Sequence, residues 1–291
     1  MEFTIQSEYG NVVLRLTDQQ YSLLNHRLRR SFMKMCSMDS LLAKIDLAGT
    51  TKELEAIAEK YYICDVSDFS KITVNGVKKT LKILVKVLYQ FPKLRSRFCY
   101  IGTHSTYAAD IQSLINGDTE IMKDFGLHYI CDSKIARDLG GLIYAMARDT
   151  LNSPETYVAT AVNACGFFDA ILLDQNDYEG FAYMSLIRDI KYNEQTGFHP
   201  KGCDSPESII YHEIGHMMDD LCGLSAGDRN FAMLYNSLSY SQIRECLSEY
   251  ATTSPQEFIA EAFAEYMCSP YPRQIARDVY NLIIYKYQML K

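Results

Sequence analysis

His212, Glu213 and His216 form a His-Glu-x-x-His pattern inside the stretch SIIYHEIGHMMDDLCG, residues 208–223. On a helix, two histidines four residues apart project from one face, one turn from each other. Their imidazoles can bind one metal ion together, and the glutamate beside them can reach a water on that ion. The chemistry this suggests is metal-assisted hydrolysis. Two bland readings stand against it. The pattern can arise by chance, and two histidines can simply hydrogen-bond within a helix packing surface. A catalytic zinc site also needs a third protein ligand, with one position left for water.

The stretch SEYATTSPQEFIAEAFAEYM, residues 248–267, offers that ligand. Ser254 suits a helix N-cap and Pro255 the first helical position. Glu257, Glu261 and Glu265 then follow at one-turn intervals on one face. Taken alone, Glu257 is explained by a capping box with Ser254, in which its carboxylate only satisfies a backbone donor. Glu261 and Glu265 are explained by a solvated acidic face. The combination weighs the other way. A zinc-binding histidine is commonly held by a carboxylate on its free N–H. Glu257 as ligand and Glu261 as that supporting group would meet both needs from one helix.

HEIGHMMDD followed by a tyrosine, six residues and EFIAEAFAE resembles the zinc metallopeptidase domain of anthrax lethal factor and its relatives. Those relatives include secreted clostridial proline-specific endopeptidases and peptidase-like domains of phage and mobile-element proteins. The resemblance covers about residues 197–285 and includes TGFHPKG ahead of the first motif; VKVLYQFPKLRSRFCYIGT is a fainter echo, and residues 1–48 lie outside it. It implies a zincin-like fold of the gluzincin kind. It further implies that His212, His216 and Glu257 hold one zinc ion, that Glu213 is the catalytic glutamate, that Tyr250 faces the metal and that Glu261 supports a histidine.

Other polar residues are weaker candidates. His199 in GFHPKG is a possible metal ligand, although a loop histidine before proline is more often a turn residue. Asp219 and Asp220 could orient a histidine, but solvated helix carboxylates are the simpler reading. Gln256 could support His216. His26, His104 and His128 have no partner pattern and read as surface or core histidines.

The elements that must position these groups are legible in part. Asp204 or Ser205 can cap the first motif helix, Pro206 fits its first turn, and Gly223 fits its end. Ile210, Ile214, Met217 and Leu221 give it an apolar stripe, and Phe258, Ile259, Ala262, Phe263 and Tyr266 do so for the second. Upstream, EFTIQ and NVVLRL read as two short strands, and residues 18–36 as a helix. Thr50 and Glu53 form a capping-box pattern opening KELEAIAEKYYIC, and GVKKTLKILVKVLYQFP is an amphipathic helix ended by Pro92. RFCYIGT and LHYIC look like strands, PETYVATAVNA and FFDAILLD like a strand pair, and GFAYMSLIRDIKYN fits either helix or strand. From Ser205 onward the chain reads as helical, with loops near 223–228 and 252–254. This order predicts an α+β fold with a small mixed sheet packed against helices. Residues 1–48 are expected as an N-terminal segment and 49–291 as the metallopeptidase domain.

The chain has 291 residues, 48% of them hydrophobic and 22% charged, enough for a sizeable core. A formal charge of -7 without a long basic run argues against a nucleic-acid partner. Nine widely spaced cysteines without a C-x-x-C pair argue against a disulfide framework and against a cysteine zinc site. They read as reduced thiols. No secretory-signal pattern and no membrane-spanning segment is apparent. The expectation is a cytoplasmic zinc endopeptidase acting on a protein or peptide substrate. Glu213 serves as general base, and the Tyr250 hydroxyl stabilises the oxyanion. A strand, for which FFDAILLD is a candidate, pairs with the substrate backbone. The competing reading is a phage or mobile-element structural or effector-interaction protein that keeps the fold without turnover.

Overall fold

The computed structural model describes residues 2–7, 10–15, 37–124, 132–152, 159–162, 169–173 and 180–290. The helix expected over 18–36 and the strand LHYIC lie outside these residues. The chain divides into two compact units, 1–175 and 176–291.

The first unit opens with β1 (Glu2–Ser7) and β2 (Gly10–Arg15), an antiparallel pair with Ser7 opposite Gly10. Helices α1 (Met38–Leu47), α2 (Thr51–Lys60) and α3 (Val74–Gln90) follow, with β3 (Val66–Asp68) between the last two. The capping box of α2 is present in both halves. Glu53 N donates to Thr50 Oγ1 at 3.2 Å, and Thr50 N donates to Glu53 Oε2 at 3.3 Å. Helix α3 buries Val77, Leu81, Leu84 and Leu88 and gives way to a 3₁₀ segment at Pro92, because proline disfavours helix in the residue before it.

After β4 (Tyr100–Thr103) come α4 (His104–Ile115), α5 (Thr119–Asp124), α6 (Ser133–Asn152), β5 (Ala159–Val162) and β6 (Ala170–Leu173). The four-stranded sheet runs β3-β4-β6-β5, with β4 parallel to both β3 and β6 and β5 antiparallel to β6. Every residue of β4 and β6 is buried, as expected for central strands covered on both faces. Tyr100 and Leu172 join Tyr107, Ile111, Leu114 and Ile143 in one apolar cluster.

This topology overturns one expectation. FFDAILLD was the candidate to pair with an extended substrate, yet β6 carries β4 on one edge and β5 on the other. Its backbone donors and acceptors are already taken, so no peptide can add there.

The described residues of the second unit are helical. Helix α7 (Gly180–Thr196) resolves the ambiguous GFAYMSLIRDIKYN as helix. Helices α8 (Pro206–Cys222), α9 (Leu224–Gly227), α10 (Arg229–Asn236) and α11 (Tyr240–Cys246) follow. A 3₁₀ turn (Tyr250–Thr252) then leads to α12 (Pro255–Cys268) and α13 (Gln274–Met289). Gly223 ends α8 in the left-handed conformation, φ 64°, which costs glycine little. Part of the loop expected at 223–228 is thus a helical turn. Asp219 holds it, accepting from Ser225 N at 2.8 Å and Ser225 Oγ at 2.5 Å. Asp219 is therefore buried rather than solvated, whereas Asp220 is exposed.

The protein is thus mixed α+β, mostly helical, with a small four-stranded mixed sheet. Among the described residues no helix is long and apolar enough to cross a membrane. None of the six described cysteines is in a disulfide, and three of them are buried and three half-buried.

Candidate metal centre

Helices α8 and α12 form the most intimate helix contact of the second unit, and a glycine makes it possible. A β-carbon built on Gly215 would lie 2.7 Å from Ala260 Cα and 3.1 Å from Ala260 O. Any larger residue would force the two backbones apart. Ile210, Ile214 and Met217 of α8, and Phe258, Ile259, Ala262 and Phe263 of α12, are buried around this contact. Their helical periodicity leaves the faces that carry His212 and His216, and Glu257 and Glu261, turned towards each other.

Ser254 caps α12 by accepting from Glu257 N at 3.0 Å. The Glu257 carboxylate does not complete a capping box. It reaches the two histidines instead, with Oε2 3.0 Å from His212 Nε2 and 3.4 Å from His216 Nε2. The two Nε2 atoms are 3.1 Å apart. Despite this closeness, Glu257 Oε2 is buried without a hydrogen-bond partner, so neither ring meets it at a bonding angle.

Zinc fits this triangle. Tetrahedral zinc with bonds of about 2.0–2.1 Å sets its ligand atoms about 3.3 Å apart. The three separations here, 3.0, 3.1 and 3.4 Å, bracket that edge length. These three residues are also the one cluster among the described residues whose ligand atoms converge closely enough for a metal. Two imidazole nitrogens and one carboxylate oxygen are a donor set that suits zinc.

Glu261 lies one turn along α12 and is almost fully buried. Its Oε1 accepts from His212 Nδ1 at 2.8 Å, and its Oε2 accepts from Ser248 Oγ at 2.8 Å. With Nδ1 committed to Glu261, the neutral His212 ring presents a bare Nε2 to the triangle. His199, a possible ligand by sequence, is not in the triangle. Its Nδ1 lies 3.2 and 3.3 Å from the two Glu261 oxygens.

No family model, curated protein or solved structure matches this chain.

The charges of the centre are mutually dependent. Burial opposes ionisation of Glu257 and Glu261, but contact with His212 and His216 brings Glu257 down to about 2, and contact with His199 and His212 does the same for Glu261. Burial likewise disfavours a charged His212, yet Glu257, Glu261 and the nearby Glu213 charge hold its pKa well above the usual histidine value.

The remaining sequence candidates fall in varied places. Glu213 is buried on α8 beside His212. The Tyr250 ring stands 5.8 Å from that of His212 and 5.5 Å from that of His199, centroid to centroid. Gln256 is exposed, and no hydrogen bond links it to His216 among the described residues. Glu265 is not part of a solvated face. It is fully buried and forked by Arg273, whose Nε lies 3.0 Å from each carboxylate oxygen and whose backbone N donates to Oε1 at 2.7 Å. Arg273 also donates to the carbonyls of Glu245 and Leu247, which secures the chain just before Ser248. Sequence reasoning missed Ser248 and Arg273. No local signal marks Ser248, while Arg273 sits eight residues after Glu265, just ahead of α13.

Proposed function

We propose that the protein is a zinc-dependent endopeptidase with a zincin-like fold, close in its site to the lethal-factor type of gluzincin. The observation that carries this reading is the triangle of His212 Nε2, His216 Nε2 and Glu257 Oε2, with Glu261 bound behind His212. Zinc bound by these three residues would polarise a scissile carbonyl and make a water acidic. Glu213 accepts the proton of the attacking water on its carboxylate and returns it to the leaving amine. The Tyr250 hydroxyl donates to the carbonyl oxygen as charge builds there. Glu261 keeps the Nδ1 proton on His212 and so preserves its bare Nε2. The substrate class is a protein or peptide, and the free thiols favour the cytoplasm as the place of action.

The test combines elemental analysis with cleavage of a degenerate peptide library. Wild-type protein should carry about one zinc per chain and cleave the library. Glu213→Gln should keep the zinc and lose cleavage. A wild-type protein that binds no zinc at micromolar concentration ends this reading. Zinc without cleavage would favour the structural, catalytically silent alternative.

A further inference from the structure

His199 has no part in the triangle, yet it occupies the carboxylate that supports it. Its Nδ1 spans both oxygens of Glu261 at 3.2 and 3.3 Å. The same carboxylate takes His212 Nδ1 on Oε1 and Ser248 Oγ on Oε2. Three donors from three segments thus converge on one buried acid. A carboxylate has lone pairs enough for all of them, and together they fix its plane.

The loop presents His199 in a defined way. Phe198 N and His199 N donate to Asn193 O at 2.9 and 3.2 Å, at the end of α7. Glu249 N donates to Gly197 O at 2.9 Å, and Tyr250 N to Phe198 O at 3.0 Å. The His199 ring packs edge-on against Phe198 and Tyr250.

We propose that His199 is a positioning residue of the metal centre, acting through Glu261 to keep His212 Nε2 aimed at the metal. The proposal rests on the metal reading of His212, His216 and Glu257, and not on peptide hydrolysis. Without the Nδ1–H of His199, the Glu261 carboxylate keeps a single donor on each oxygen and is less firmly fixed. The His212 ring then loses its fixed orientation. A partner bonded directly to a ligating histidine is worth about 10–100-fold in metal affinity, and His199, one bond further out, is assigned the lower end of that range.

The experiment is zinc affinity by competition with a chromophoric chelator, on the full chain. His199→Phe keeps an aromatic ring against Phe198 and Tyr250 but has no donor. His199→Asn loses the ring but places an amide N–H near the position of Nδ1. The phenylalanine variant should bind zinc about tenfold more weakly than wild type, and the asparagine variant should regain most of that loss. Thermal unfolding of both metal-free variants checks that they remain folded. Wild-type affinity in His199→Phe overturns the proposal, because packing alone would then explain the residue. Failure of His199→Asn to improve on His199→Phe also overturns it. If wild-type protein binds no zinc, the metal reading falls and this proposal with it. Zinc in wild type with no difference among variants removes this proposal alone.

Discussion

Gly215 lies so close to Ala260 that a β-carbon on it would stand 2.7 Å from the Ala260 Cα. It sits between the two histidines in sequence, so the spacing of α8 from α12 and the size of the triangle formed by His212, His216 and Glu257 are set together. Gly215→Ala should therefore do two things. It should destabilise the fold by about 1–3 kcal/mol through overpacking, and it should weaken zinc binding by moving His212 and His216 away from Glu257. Urea unfolding and a zinc titration check both, and a variant with lowered stability but unchanged zinc affinity would separate the helix contact from the site.

Glu257 has two structural relationships, and substitution distinguishes them. Its backbone N–H is bound by Ser254, while its carboxylate faces the histidines. Glu257→Gln keeps the first and removes the charge of the second. Zinc affinity should drop at least tenfold, with little change in the stability of the cap. An equal zinc affinity would mean that the carboxylate is not a ligand.

Arg273 neutralises a fully buried carboxylate. Arg273→Ala leaves Glu265 without its charged partner, and breaking a buried pair in this way costs about 3–5 kcal/mol. The unfolding midpoint in urea should fall accordingly. Simultaneous replacement of Glu265 by leucine should recover much of the loss, and no recovery would argue against the buried charge as its cause.

The centre should respond to pH in opposite directions with and without zinc. In the metal-free protein the His212 pKa is raised. Its proton therefore stabilises the fold below the ordinary histidine pKa, and this stabilisation is lost as pH rises through the raised value. Glu257 and Glu261 are depressed to about 2. Their contribution is present above the ordinary carboxylate pKa and is lost as pH falls towards 2. Zinc must displace the His212 proton, so its affinity should rise with pH by up to about tenfold per unit below the raised pKa. Affinities measured between pH 6 and 8.5 give the slope, and a flat profile would rule out this competition.

The parts of the site that follow helical periodicity were legible in the sequence. His212 with His216, and Glu257 with Glu261, share faces because of their spacing, and the structure brings both pairs together. The capping-box alternative for Glu257 was not separable by sequence, since Ser254 does accept its N–H. His199 and Ser248 depend on Glu261, 62 and 13 residues away, and such contacts leave no periodic trace. The solvated readings of Asp219 and Glu265 failed for a related reason. Burial of a helix face is decided by what packs on it, here Ser225 and Arg273. The strand content of FFDAILLD was readable, but its place inside the sheet was not, because a strand's own residues do not reveal how many neighbours it has.

The backbone bonds from Glu249 to Gly197 and from Tyr250 to Phe198 have a mechanical consequence. They rivet the loop that carries His199 to the turn that carries Tyr250. Neither segment can swing without breaking a rung or taking the other along. A displacement of either segment that keeps both rungs therefore carries His199 and Tyr250 together, as one lever.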